Sequence, residues 1–245
     1  MKQTHNSWFE TWFDTSYYHT LYKNRNFEEA KSFMNALTSS LNLKKNAHIL
    51  DVACGRGRHA IYLNKLGYKV TGIDLSPNNI DFAKQYETST LDFKVHDMCK
   101  PMNTTYDALV NLFTSFGYFE NDEDNLRAIK TMKENLKDDG LGVIDFLNIH
   151  KTIKNLKKHE VKKIDGIEFK ISKSIENSYI IKTIQFEDEG KSFEFEEKLK
   201  CLDLDTFKKY FQKAGLRLLK FYGDYSLNSY DKTNSDRLIM VFSHK

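Results

Sequence analysis

The stretch His48–Asp74 reads HILDVACGRGRHAIYLNKLGYKVTGID, and its order of residue types decides the fold. A short apolar run at 48–53 carries one acidic residue, Asp51. Gly55 and Gly57 follow, one residue apart, and residues 58–66 have helical spacing. A second apolar run, 69–73, ends in Asp74. This predicts a strand, a tight turn, a helix and a second strand with a carboxylate at its tip. Such a unit is half of a nucleotide-cofactor site.

Reading outward, the alternation continues. A helix is expected from Pro77 to Tyr86, with Ser76 as its N-cap and the proline at its first position. A strand at 91–96 ends at Asp97, and a strand at 106–112 leads into Thr114-Ser115-Phe116-Gly117. A helix over 122–136 follows, and Asp138-Asp139-Gly140 turns the chain into a strand at 141–147. Strands alternating with helices give an α/β fold, a doubly wound and mostly parallel sheet. Between 160 and 202 polar and apolar residues alternate instead, broken at Asp165-Gly166, Glu176-Asn177 and Glu189-Gly190. That is an inserted antiparallel β-meander. A helix over 203–214 ends at Gly215, and strands at 216–222 and 236–243 close the chain. The loop joining them is too short for a crossover helix, so that pair is expected to be antiparallel.

Residues 7–42 carry aromatic and leucine residues at near-helical spacing, which predicts two helices, the second over 27–41. Four parts result: an N-terminal helical lid (1–42), a cofactor-binding α/β core (43–150), a β cap (151–202) and the end of the core (203–245). The net charge of +3 is nearly balanced for 245 residues and argues against a general nucleic-acid or membrane binder. Cys54, Cys99 and Cys201 stand apart, so neither a metal site nor a disulfide framework is expected. No apolar run suggests a signal peptide or a membrane span, and a cytoplasmic protein is the default.

Gly55 and Gly57 let the backbone turn sharply beside a ligand, and the next helix presents its free N–H groups there. Asp74 can accept from ribose hydroxyls and Asp97 from an exocyclic amine such as that of adenine, with Met98 against the base. NAD remains a rival cofactor, because Gly55-x-Gly57-x-x-Ala60 also satisfies a dinucleotide fingerprint. A charged Asp51 in the first strand, a third acidic tip at Asp97 and the closing strand pair weigh against it.

Asp51-x-x-x-Gly55-x-Gly57, then Asp74, then His96-Asp97, resembles the class I S-adenosylmethionine-dependent methyltransferases. The likeness covers roughly 45–150 and the last two strands. It implies a seven-stranded, Rossmann-like sheet with an antiparallel last strand, and S-adenosylmethionine as cofactor. It implies a turn from Asp51 through Ala53, Cys54, Gly55 and Gly57 around the methionine moiety, Asp74 and Leu75 at the ribose, Asp97 and Met98 at the adenine, and Asn111 beside them. The cap and the aromatic N-terminus resemble the substrate side of small-molecule members. Tyr18, Tyr22 and Arg25 share a helical face that could close over the cofactor, with Tyr22 and Arg25 reaching the methionine carboxylate.

Transfer to N or O of a small-molecule acceptor by in-line displacement is the expected reaction. Phe113, Phe116 and Tyr118 are candidates to touch the acceptor, although the phenylalanines equally suit packing. The prolines and the cysteine of DNA-base enzymes are absent after the fourth strand, so DNA is not expected. Candidate general bases are His19, Tyr18, Tyr118 and His150. Arg58 can bond backbone or ligand, His59 suits a structural role, and Asp236-Arg237 suits a local ion pair in preference to a place for Arg237 near the substrate mouth. An RNA or protein methyltransferase and a non-catalytic cofactor-binding module stand as alternatives. The sequence carries no reading of oligomeric state.

Overall fold

The computed structural model describes residues 8–23 and 27–245. Arg25 lies outside them. The elements run α1 (Trp8–Trp12), α2 (Ser16–Leu21), α3 (Phe27–Leu41), β1 (His48–Val52), α4 (Arg58–Lys65), β2 (Lys69–Asp74), α5 (Pro77–Ala83), β3 (Leu91–Val95), β4 (Tyr106–Asn111), α6 (Asp122–Glu134) and β5 (Leu136–Leu147). Then come α7 (Ile149–Lys154), β6 (His159–Ile164), β7 (Ile167–Glu176), β8 (Tyr179–Asp188), β9 (Lys191–Lys200), α8 (Leu204–Ala214), β10 (Leu216–Tyr222) and β11 (Arg237–His244). They form two compact units. One joins 8–23 with Ile153–Cys201, the other 27–152 with Leu202–Lys245.

The larger unit is a seven-stranded sheet in the order β10-β11-β5-β4-β1-β2-β3. β1 to β5 pair in parallel, and β11 is antiparallel to both its neighbours. Its central strands are covered on both faces. Ile49, Leu50, Ala108, Leu109, Val143 and Ile144 are all at most 1% exposed, which is why these strands read as continuous apolar runs. Helix α3 contributes Phe33, Met34, Leu37 and Leu41, an apolar stripe at i, i+4 spacing, to the same core. Ser76 caps α5 by accepting from Asn79 N–H at 3.0 Å, and Gly215 ends α8 in the left-handed region at φ 69°.

Three features differ from the sequence reading: the start of β5, the number of N-terminal helices, and the middle hairpin turn, which falls at Asn177-Ser178 in place of Glu176-Asn177. β5 begins at Leu136, which pairs with Tyr106, and Leu141 pairs with Ala108. Residues 137–140 bulge out of a strand already under way, so Asp138-Asp139-Gly140 is an excursion within the strand. The N-terminal segment forms three helices, because α1 and α2 are separated by the cap at Thr15, which accepts from Tyr18 N–H at 3.1 Å.

The smaller unit is an antiparallel sheet, β6-β7-β8-β9. Its two-residue turns are Asp165-Gly166, Asn177-Ser178 and Glu189-Gly190, all with positive φ at both residues. This is the twist that suits tight hairpins. One face buries Phe169, Ile171, Ile184 and Phe186 beneath Trp12 and Leu21 of α1 and α2. The polar contacts converge on Glu197, which accepts from the Trp12 indole at 2.7 Å and the Tyr22 hydroxyl at 2.8 Å. The Lys182 ammonium lies 3.3 Å from the other Glu197 oxygen and also bonds the Tyr22 hydroxyl. Burial pulls the Lys182 pKa down, and Glu197 opposes that shift.

Glu197→Ala leaves a largely buried ammonium without its carboxylate, and we expect it to cost about 3 kcal/mol. Urea unfolding should show the loss together with a red shift of tryptophan fluorescence. Pairing Glu197→Leu with Lys182→Met should regain most of it. A single variant as stable as the parent would show that Glu197 does not hold α1 and α2 to this sheet.

Candidate active site

At the carboxyl edge of the larger sheet, β1 ends in a turn with three left-handed residues: Ala53 (φ 57°), Gly55 (φ 56°) and Gly57 (φ 80°). Asp74 fastens it. Its Oδ2 accepts from Gly55 N–H at 2.8 Å, and its Oδ1 from Ser76 N–H at 2.9 Å. Each carboxylate oxygen can accept a further bond. A Cβ on Gly57 would lie 2.6 Å from the Phe93 ring, whereas one on Gly55 would meet nothing within 4 Å. Gly57 is therefore required by packing, and Gly55 leaves open space beside the turn.

Asp51 is 1% exposed and its Oδ2 has no hydrogen-bond partner. Burial raises its pKa to about 7, with a smaller push from Asp74, against the Ala60 N–H and Arg58, which favour the ionised form. On the neighbouring strand, Asn111 is fully buried, its amide donates to Val52 O at 3.0 Å, and its Oδ1 is also unpartnered. Cys54 is buried, and burial pushes its thiol well up, so it packs as a small neutral side chain. Leu75 is 39% exposed just beyond Asp74. The β3 end lies beside β2, with His96 N–H on Asp74 O at 2.9 Å. Asp97 follows and accepts from Cys99 N–H at 2.9 Å through Oδ1, with Met98 half-buried next to it.

The segment after β4 takes an unusual path, because Phe113 (φ 58°) and Thr114 (φ 62°) are both left-handed. The Phe113 ring stacks between His59 (5.0 Å) and Tyr225 (5.2 Å), with the Arg58 guanidinium 4.4 Å from its centroid. Phe116 is a core residue, 1% exposed and packed on Phe207, so its expected contact with an acceptor is withdrawn. The Tyr118 hydroxyl donates to Thr114 O at 2.5 Å. His150 sits 3.9 Å from the Asp203 carboxylate. Tyr18, His19 and Tyr22 belong to the smaller unit, where the Tyr18 ring contacts Trp12, His19 and Tyr22.

One cluster was only partly legible from the sequence, which offered Arg237 a place near the substrate mouth as its second reading. Asp145 of β5 is fully buried and binds Phe113 N–H (2.8 Å), the Tyr225 hydroxyl (3.3 Å) and the Arg237 guanidinium (2.8 Å). Arg237 also donates to Thr114 Oγ1 at 2.9 Å. The expected ion pair of Asp236 with Arg237 is replaced by two others, because the buried Asp145 takes the Arg237 guanidinium. Asp236 instead pairs with Lys151 at 2.6 Å. A signal existed in the form of an acidic residue inside the apolar run 141–147, a charge that needs a partner when buried. Among the described residues no helix is long and apolar enough to cross a membrane.

The sheet order, the glycine turn and the acidic strand tips define the class I methyltransferase fold. Residues 49–140 match the family described as Methyltransferase domain. Residues 49–140 of the larger unit are therefore similar to a methyltransferase domain, and four antiparallel strands are inserted between β5 and α8. A demethylmenaquinone methyltransferase of Staphylococcus epidermidis is 33% identical over 122 residues, 48% of this chain and 50% of that protein. The dTDP-3-amino-3,4,6-trideoxy-alpha-D-glucopyranose N,N-dimethyltransferase of Streptomyces venezuelae is 29% identical over 104 residues, 40% of this chain and 41% of that one. The chain spans about half the length of the curated relatives it matches. A crystal structure of an S-adenosylmethionine-dependent methyltransferase from Clostridium acetobutylicum shares the fold. Its TM-score is 0.78 at 18% identity, over 93% of this chain and 96% of that one.

The two glycines should respond differently to alanine. At Gly57 the new methyl meets the Phe93 ring, and the left-handed backbone adds to the cost, about 3 kcal/mol in all. At Gly55 only the backbone term remains, about 1 kcal/mol. Equal losses in denaturant melts would refute this division of roles.

Proposed function

We propose that the chain binds S-adenosylmethionine and transfers its methyl group to N or O of a small-molecule acceptor. The observation that carries this is two buried acceptors without donors near the ends of the neighbouring strands β1 and β4, Asp51 Oδ2 and Asn111 Oδ1, with open space at Gly55 in the turn after β1. Buried acceptors are normally satisfied, so a pair left open at a ligand-binding edge calls for a donor from a ligand. The methionine ammonium of the cofactor is such a donor. In this reading Asp51 and Asn111 hold the ammonium, and the Ala53–Gly57 turn shapes the pocket for the methionine moiety. Asp74 and Leu75 meet the ribose, and Asp97 and Met98 meet the adenine.

When bound, S-adenosylmethionine supplies an electrophilic methyl on a sulfonium, so the protein's task is mainly alignment and exclusion of water. Tyr118 and His150 are both engaged with partners inside the protein. An amine acceptor needs no strong general base, only a route for its proton. The S. venezuelae relative is named for N,N-dimethyl transfer to an amino sugar, and the S. epidermidis relative for demethylmenaquinone. Both names suit a small acceptor.

Asp51 gives a pH test. Its pKa is near 3.8 when exposed and about 7 when folded. The folded chain thus holds the proton more tightly, and without cofactor its stability falls as pH rises from about 4 to 7. An ammonium beside the ionised carboxylate reverses the preference. Calorimetry with S-adenosylhomocysteine, which carries the same ammonium, should show affinity rising up to about tenfold from pH 6 to pH 8. Asp51→Asn should bind weakly at both values. A flat profile in the parent protein would remove Asp51 from the ammonium site.

Asp74→Ala should weaken S-adenosylmethionine binding at least tenfold, and an unchanged affinity would make the ribose assignment wrong. Release of S-adenosylhomocysteine with a panel of small amines and phenols tests turnover. Tight cofactor binding without turnover of any acceptor would favour a non-catalytic binding module.

A further inference from the structure

The larger unit holds an open cavity of about 520 Å³, within the size range of small-molecule sites. Phe113 and Tyr225 supply its aromatic walls, and Ser32, Asp224, Asp236 and Arg237 its polar ones. The Phe113 ring also stacks on His59 in the first turn of α4, directly after Gly57. Phe113 thus joins the cavity to the start of α4, the helix that follows the glycine turn.

The charges around the cavity decide what it accepts. A lone arginine at such a place would draw anions. Here Arg237 is already bound to a fully buried carboxylate, Asp145, and the Lys151 ammonium is paired with Asp236. Asp224 accepts from Ser226 N–H (2.9 Å), Asn228 N–H (3.1 Å) and the Asn228 amide (2.8 Å), which keep its carboxyl below the usual carboxylate range. Of the charged residues that line the cavity, Asp224 and Asp236 are carboxylates, and the cation Arg237 is bound to Asp145. The same Asp145 fixes the walls. It holds Phe113 N–H and the Tyr225 hydroxyl, and its carbonyl accepts from Thr114 N–H at 3.0 Å. These bonds sustain the two left-handed residues, a conformation that costs about 1–3 kcal/mol each without support.

We propose that this cavity seats the methyl acceptor, and that Asp145, by neutralising Arg237, makes it take a small amine in preference to an anion. The proposal rests on the methyltransferase reading and names its acceptor class. The amine arrives as an ammonium and gives one proton to water at the open mouth. Its lone pair then forms the new N–C bond while the S–C bond breaks, with that pair staying on sulfur. Asp145 is a positioning residue in this scheme, and it touches neither reactant.

The test uses three fragments of one shape and different charge: benzylamine, benzyl alcohol and benzoate. Each is titrated by NMR into the full chain saturated with S-adenosylhomocysteine. Benzylamine should bind at least fivefold tighter than benzoate. Asp145→Asn, which releases Arg237 from its counter-charge, should reverse that order, an outcome that simple loss of packing would not produce. Asp224→Asn lies in a surface loop and keeps the fold within reach if Asp145→Asn does not fold. It should weaken benzylamine at least threefold and leave benzyl alcohol unchanged. Benzoate binding as tightly as benzylamine in the parent protein, or benzylamine indifferent to Asp224→Asn, would overturn the proposal. Calorimetry separates the two readings. Failure to bind S-adenosylhomocysteine would sink the methyltransferase function itself, whereas binding it without a charge preference would sink only the amine assignment.

Discussion

The ring of Phe93 sets the constraint on which the cofactor edge depends. It fills the space where a side chain on Gly57 or Gly72 would begin, at 2.6 and 2.5 Å. That contact lets α4 start directly over β2 and β3, and so fixes where its unpaired N–H groups point. The turn before it must then pass through left-handed backbone at residues 53, 55 and 57. Asp74 closes the arrangement from the next strand. A glycine of the motif thus serves the protein's own packing, and only its neighbour faces open space.

Much of this was legible in the sequence because the signals are local. Strand, turn, helix and acidic tip follow one another within His48–Asp74, and each depends on neighbours a few residues away. The same holds for Ser76 before Pro77, for Gly215 after α8, and for the hairpins, of which only the middle turn is displaced by one residue. The start of β5 was less legible. Asp138-Asp139-Gly140 carries turn chemistry, and sequence cannot tell a turn between elements from a bulge within one.

The cluster around Asp145 was only partly legible for a different reason. Its members lie at 113, 114, 145, 225 and 237, and only strand order brings them together. β11 enters the sheet between β10 and β5, so Arg237 arrives beside Leu147 and within reach of Asp145. No spacing rule along the chain encodes that meeting. Phe116 shows the opposite limit. Its sequence context suited acceptor contact and packing equally, and tertiary packing placed it against Phe207.

The bond from Trp12 to Glu197 joins residues 185 positions apart. At synthesis rates of about 5–20 residues per second, α1 and α2 wait roughly 10–40 seconds before the strand that receives them exists. In that interval Trp12, Tyr17 and Tyr22 have no sheet to cover them, while the strands of the larger unit are already being made. The aromatic richness that seals the smaller unit in the finished protein is therefore a hazard during synthesis. While those strands are missing, the growing chain is open to aggregation, and to capture by chaperones, at α1 and α2.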